Sequence, residues 1–150
     1  MKKINIVCVG KIKEKFISDG ISEYAKRLSR FCKISIGEIA DYATDSDECI
    51  RKESDEILKK LKGYVIALDI GGAQKSSEEI AATLDKAFLT NSEVTFVIGG
   101  SRGYDDRVRA QADERLSFGR ATFPHQLMRL ILFEQIYRAF SITAGTPYHK

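Results

Sequence analysis

Residues 64–70 read YVIALDI and residues 94–100 read VTFVIGG; with INIVCVG at 4–10, these runs decide the fold. Each is apolar at nearly every position rather than at every second one. Strands read this way when both faces of a parallel sheet are covered. A fourth run, KISIGEIAD at 33–41, alternates and belongs near an edge of the sheet. Between the strands the apolar spacing lengthens to that of a helix. Ile17, Ile21, Tyr24, Ala25, Leu28 and Phe31 share one face. Ile50, Ile57, Leu58 and Leu61 mark a second helix, acidic at its start, with Lys59, Lys60 and Lys62 at its end and Gly63 as its stop. In SSEEIAATLDKAFL at 76–89, Ser76 and Glu79 form a capping box ahead of Ile80, Leu84, Ala87 and Phe88. Strand and helix in alternation predict an α/β fold, a mainly parallel sheet flanked by helices. No repeat or Pro/Gly-rich linker divides the chain, so residues 1–150 are expected to form one domain.

Composition narrows the function classes. Hydrophobic residues at 43% and charged residues at 30% fit a soluble globular protein. No segment approaches the roughly 18–20 apolar residues that span a bilayer, so no membrane partner is expected. The first apolar run is short and ends in lysines, which reads as a strand rather than a signal peptide. Cys8, Cys32 and Cys49 are odd in number and lack C-x-x-C spacing. This points to a reducing cytoplasm, with structural cysteines and no disulfide or metal site. The net charge of +3 conceals a basic start and a basic end around an acidic middle. Residues 1–33 hold nine Lys/Arg against three Asp/Glu, and seven of the eight cations after residue 99 are arginines. Arginine suits bidentate phosphate contact, so a nucleic-acid partner is indicated beside the plainer reading of a solvated surface.

Ligands of open α/β sheets bind beyond the carboxyl ends of the strands. Three stretches lie there: LDIGG (68–72), IGGSRG (98–103) and LSFGRATFPH (116–125). A dinucleotide fingerprint is not among them, because the first strand ends in the single Gly10. Nor is there a phosphate-binding P-loop, a G-x-S-x-G elbow or a His/Asp/Glu metal cluster.

VIGGSRGY (97–104), then LSFGRATFPHQLMRLILFEQIYRAFSI (116–142), then the terminal YHK closely resemble the small SPOUT-class RNA methyltransferases. VGKIKEKF (9–16) and EYAKRL (23–28) support that resemblance, which runs nearly the full length. It implies an α/β domain with a C-terminal trefoil knot, and a homodimer packed through the knotted region. It implies S-adenosylmethionine as cofactor, and N3 of a pseudouridine in large-subunit ribosomal RNA, on the assembled ribosome, as acceptor. Carried onto this sequence, the cofactor contacts are Leu68, Gly99, Phe118, Gly119, Arg120, Ala121, Thr122 and Phe123. Where the family usually has Lys after Gly72, Ala73 and Gln74 precede Lys75, which leaves that lysine without an assigned role.

The helix expected from about Pro124, a residue suited to a first turn, is apolar around most of its circumference. Sheet and second subunit are the expected neighbours. Its polar exceptions are His125 and Arg129, four apart, and Glu134 and Arg138, again four apart, either an ion pair or a substrate contact. Attack by an imide nitrogen needs a base, and His125 and His149 are the only histidines. Arg129 and Arg138 are candidates to stabilise the imide anion or hold phosphates. The tail is expected to reach across the dimer and place Tyr148 and His149 over the partner's methyl donor. Lys11, Lys13, Lys15, Lys26, Arg27 and Arg30 are candidate phosphate contacts. A non-catalytic RNA-binding factor on the same fold is the rival reading.

Overall fold

The computed structural model describes residues 1–42 and 46–150. Strands and helices alternate: β1 (Lys3–Val9), α1 (Lys15–Leu28), β2 (Lys33–Ile39), α2 (Asp47–Leu58), β3 (Tyr64–Gln74), α3 (Ser77–Thr90), β4 (Glu93–Ile98), α4 (Asp106–Gln111), β5 (Glu114–Ser117) and α5 (His125–Ala144). The strands form one five-stranded sheet in the order β2-β1-β4-β3-β5, every ladder parallel. The alternating strand β2 is at an edge, as its pattern predicts.

The near-continuous apolar runs follow from burial on both faces. Ile4, Ile6, Cys8, Ile66, Val94, Phe96 and Ile98 pack into a core shared with α1, α3 and α5. Their neighbours Val7, Val9, Val65, Ala67 and Val97 pack on the opposite side with Ile57 of α2 and Val108 of α4. Cys8 and Cys32 are buried, and burial pushes each thiol up to about 11, which suits packing and not thiolate chemistry. The capping box at α3 is closed in both directions. Glu79 N–H donates to Ser76 Oγ at 3.1 Å, and Ser76 N–H donates to Glu79 Oε1 at 2.8 Å.

Helix α5 is the middle helix of its layer, which accounts for much of its apolar circumference, while Leu127, Met128, Leu130 and Ile131 stay partly exposed. Leu132, Phe133 and Ile136 are almost fully buried. One flank meets α1, where the Tyr24 and Tyr137 ring centroids are 5.9 Å apart, and the turn after it, where Phe31 stacks on Phe140 at 5.7 Å. The other meets α3 through Ser77–Gln135 and Thr143–Asp85 hydrogen bonds.

Some boundaries differ from expectation. Helix α2 ends at Leu58 with Lys59 as its cap, so Lys60, Leu61, Lys62 and Gly63 lie beyond it. Pro124 is the residue before α5, with ψ 138°, and the first turn begins at His125. Helix α4 and strand β5 are short and charged, and no apolar run announces them. Among the described residues, no helix is long and apolar enough to cross a membrane.

Candidate active site

The sheet's carboxyl edge is opened by a break in one strand. β3 pairs with β5 up to Leu68 and again from Ala73, both opposite Leu116, so Asp69–Gly72 bulge out of the sheet. Beside this bulge, the loop after β4 doubles back, with Gly103 N–H donating to Gly100 O at 2.9 Å. A Cβ on Gly99 would lie 2.6 Å from the carbonyl carbon of Gly103, so only glycine permits the fold-back. The third loop leaves β5 through a turn in which Ser117 Oγ accepts from Gly119 N–H (3.1 Å) and donates to Gly119 O (3.0 Å). Gly119 has φ +124°, a left-handed conformation open to glycine.

These three loops and the first turn of α5 enclose a cavity of about 250 Å³. Leu68, Gly99, Phe118, Gly119, Ala121, Thr122 and Phe123 line it, seven of the eight residues expected to hold a cofactor. Arg120 is exposed and does not line it. The walls are mainly apolar, with Ile98, Leu116 and Met128 adding to the expected residues. Asp69, Ile70 and Tyr104 also line the cavity and were not anticipated, although Asp69 and Ile70 lie within the LDIGG stretch.

His125 lines the same cavity. Its Nε2 is buried without a hydrogen-bond partner among the described residues. Burial pushes the imidazole below its ordinary value, helped by the Arg129 and Lys13 charges and opposed by Asp41. The ring is therefore neutral at neutral pH. Arg129, one turn on, is not part of the cavity wall. It is 1% exposed; Nη2 donates to Gly10 O at 2.9 Å and Nη1 to Glu38 Oε2 at 2.7 Å. It thus fastens α5 to the ends of β1 and β2.

The other expected catalytic residues form a second cluster. Arg138 and Glu134 make the intrahelical ion pair at 2.7 Å. Tyr148 joins it, its hydroxyl donating to Glu134 Oε2 at 2.8 Å while its ring packs edge-on against Tyr137. Arg138 Nη1 lies 3.0 Å from His149 Nδ1, and Glu78 Oε1 lies 2.5 Å from His149 Nε2. Arginine can only donate, so Nδ1 is the acceptor and the ring proton sits on Nε2, facing Glu78. Arg138 is thirteen residues along α5 from His125, roughly 20 Å at 1.5 Å per residue. The tail cluster therefore stands apart from the cavity within one chain.

Lys75 is outside the cavity too. Its Nζ donates to Thr83 Oγ1 and Glu114 Oε1, each at 2.7 Å, tying the far end of the bulged strand to α3 and β5. Among the described residues, no group of three or more His, Cys, Asp and Glu is gathered as metal ligands.

Comparison with known proteins agrees with this architecture. Residues 1–149 match the family described as "Predicted SPOUT methyltransferase". A protein of Streptococcus uberis named ribosomal RNA large subunit methyltransferase H is 49% identical, the match covering 99% of each chain. Proteins of the same name from Pediococcus pentosaceus and Bacillus pumilus are each 52% identical, over 98% of this chain and 99% of theirs. A solved structure of a probable methylase family protein from Haemophilus influenzae aligns with a TM-score of 0.55 over 98% of this chain and 70% of its own. At 12% identity, that likeness concerns the fold.

Proposed function

The chain belongs to the SPOUT methyltransferase family, and on that premise we propose that it methylates large-subunit ribosomal RNA, at N3 of a pseudouridine, with S-adenosylmethionine as donor. The observation that carries this reading is a cavity lined by seven of the eight residues that the family resemblance assigned to the cofactor, drawn from three separate loops. Its lining suits such a donor. Leu68, Ile98, Leu116, Phe118 and Phe123 offer apolar walls for a purine and a methionine stem. Gly99, Gly100 and Gly103 put bare backbone along the cavity wall.

S-adenosylmethionine, when bound, supplies an electrophilic methyl group. The chain's own residues supply orientation and proton handling. The cavity walls hold the donor in one pose, and alignment with the acceptor accounts for much of the rate. The acceptor imide must lose a proton, and His149 is the proposed base. Within its own chain the His149 lone pair is capped by Arg138. The tail must therefore release that contact and reach the cavity of a second copy, with Tyr148 beside it. Arg138, freed from His149, faces the developing imide anion. The proposed site is thus composite, in a homodimer packed through the C-terminal region and its knot. Arg129 holds the entrance of α5 in place, and His125 stands beside it in the cavity wall.

Phosphate contacts are assigned to the basic surface of α1 and the turns that flank it. Lys15 and Arg27 are already engaged by Asp19 (2.6 Å) and Glu23 (3.0 Å), so Lys11, Lys13, Lys26 and Arg30 are the stronger candidates. Tyr24 of α1 lies 3.2 Å from the Tyr148 hydroxyl, which sets this surface beside the tail.

Titration calorimetry tests the cavity, with NAD as the control ligand. Saturable binding of S-adenosylmethionine alone is expected; no binding, or equal binding of both, would remove the reading. Mixing two inactive variants tests the composite site. A Gly99→Asp chain and a His149→Ala chain, exchanged into mixed dimers, should recover activity if the tail acts in trans. Recovery of none would place the tail in its own chain's site.

A further inference from the structure

Two of the loops that form the cavity are fastened to each other at the point where β3 leaves the sheet. The Tyr104 side chain is 4% exposed, and its hydroxyl donates to the Leu68 carbonyl at 2.8 Å, the last residue before the bulge. The next residue, Asp69, has a side chain only 12% exposed. Its Oδ1 accepts from Gly71 N–H at 2.9 Å, and its Oδ2 accepts from Arg109 Nε at 3.0 Å and Arg115 Nη1 at 3.4 Å. Arg109 closes the circuit: Nη1 donates to the Tyr104 carbonyl at 3.1 Å, and the guanidinium lies 5.0 Å from the Tyr104 ring centroid. Both oxygens of Asp69 are thus spent on the loop's own shape.

We infer that Tyr104, Asp69 and Arg109 are positioning residues that hold the Leu68–Gly72 bulge in its donor-binding shape, and so set the affinity for the methyl donor rather than the rate of transfer. The inference rests on reading the cavity as the donor site. A released bulge has no strand partner between Leu68 and Ala73 to restore its shape. Only the bound donor would then order it, and that ordering lowers affinity.

Burial pushes the Asp69 carboxyl up, but the Gly71 N–H, the Arg109 hydrogen bond and charge, and Arg115 outweigh it and leave it below its ordinary value. The circuit therefore stays charged throughout the neutral range. Helix α4 does not depend on the circuit for its place. Arg107 bonds Asp55 at 2.6 Å, Asp105 N–H donates to Ser54 Oγ at 3.0 Å, and Val108 is fully buried. Loosening the bulge is thus separable from losing the helix.

The test uses the full chain and three variants: Tyr104→Phe, Asp69→Asn, and Arg107→Ala as a control on the same helix. Tyr104→Phe deletes one buried hydrogen bond and should weaken S-adenosylmethionine binding about five- to tenfold. Asp69→Asn removes charge-assisted bonds and should weaken it about ten- to a hundredfold. KM for the donor should rise in parallel while kcat at saturating donor stays within about twofold. In the ligand-free protein, amide exchange across residues 68–72 should quicken in both variants and not in Arg107→Ala. Unchanged affinity in both variants, or unchanged affinity with reduced kcat, overturns the inference. So does exchange at 68–72 that matches the unsubstituted chain. If Asp69→Asn fails to fold, Tyr104→Phe decides alone. If the unsubstituted chain binds no donor, the reading of the cavity fails, and the exchange measurement still decides whether the circuit holds the bulge.

Discussion

The Arg129–Glu38 pair is lopsided, and the lopsidedness predicts an inverted mutational order. The arginine is 1% exposed, whereas the Glu38 side chain is 38% exposed. Glu38→Ala strands a buried guanidinium that, among the described residues, keeps the Gly10 carbonyl as its hydrogen-bond partner and has none at Nε. Stranding a buried charge costs about 3–5 kcal/mol. Arg129→Met leaves a carboxylate that turns to water, and Met refills much of the arginine stem's volume. What remains is the lost bond to Gly10 O, about 2 kcal/mol for a bond from a charged donor. The more exposed residue should therefore be the costlier one to remove. The double variant should be milder than Glu38→Ala alone, because no charge is left stranded. Urea unfolding at one fixed protomer concentration measures all four proteins, read as shifts in midpoint at constant slope. A Glu38→Ala chain more stable than Arg129→Met, or a double variant worse than both singles, would refute the reasoning.

Four further outcomes are expected. Ser76→Ala opens the capping box and should cost about 1 kcal/mol, lowering the thermal midpoint by about 2–4 °C in a chain of this size; scanning calorimetry that finds no shift contradicts it. Gly99→Ala pushes a Cβ into the Gly103 backbone and should abolish donor binding while the far-ultraviolet circular dichroism stays intact. His149→Ala should lose methyl transfer and keep donor binding; undiminished turnover removes it from the base role. The His125 imidazole is held below its ordinary value of 6.5, so the folded chain resists its protonation. Its contribution is full above about pH 6.5 and is lost as pH falls through that value toward the folded pKa. The decline in urea midpoint between pH 7 and 5 should flatten in His125→Ala, and an unchanged decline would count against the assignment.

How much of this was legible in the sequence depended on the range of the forces involved. β1, β3 and β4 read clearly because burial on both faces leaves an apolar residue at nearly every position. β5 did not, since Glu114 and Arg115 fill half of a four-residue strand whose place comes from pairing with β3. The glycine loops marked the cavity, because close backbone approach demands that residue type locally. The break in β3 left no such trace: LDIGG reads as a strand end, and the chain returns to pairing at Ala73 only because Leu116 serves both sides of the bulge. Asp69, Tyr104 and Arg109 are up to 40 residues apart, and no local pattern couples them. The tail reads as loose, yet Glu134 and the Tyr137 ring hold Tyr148. The apolar circumference of α5 was read as room for a second subunit, and α1 and α3 occupy much of it.

The most direct test is methyl transfer from labelled S-adenosylmethionine to large ribosomal subunits that lack the modification, followed by digestion and mass analysis of the labelled nucleoside. A single labelled product, pseudouridine methylated at N3, is the expected result, absent with His149→Ala. Donor binding without transfer to any ribosomal particle, or label on a different nucleoside, would contradict the proposed reaction.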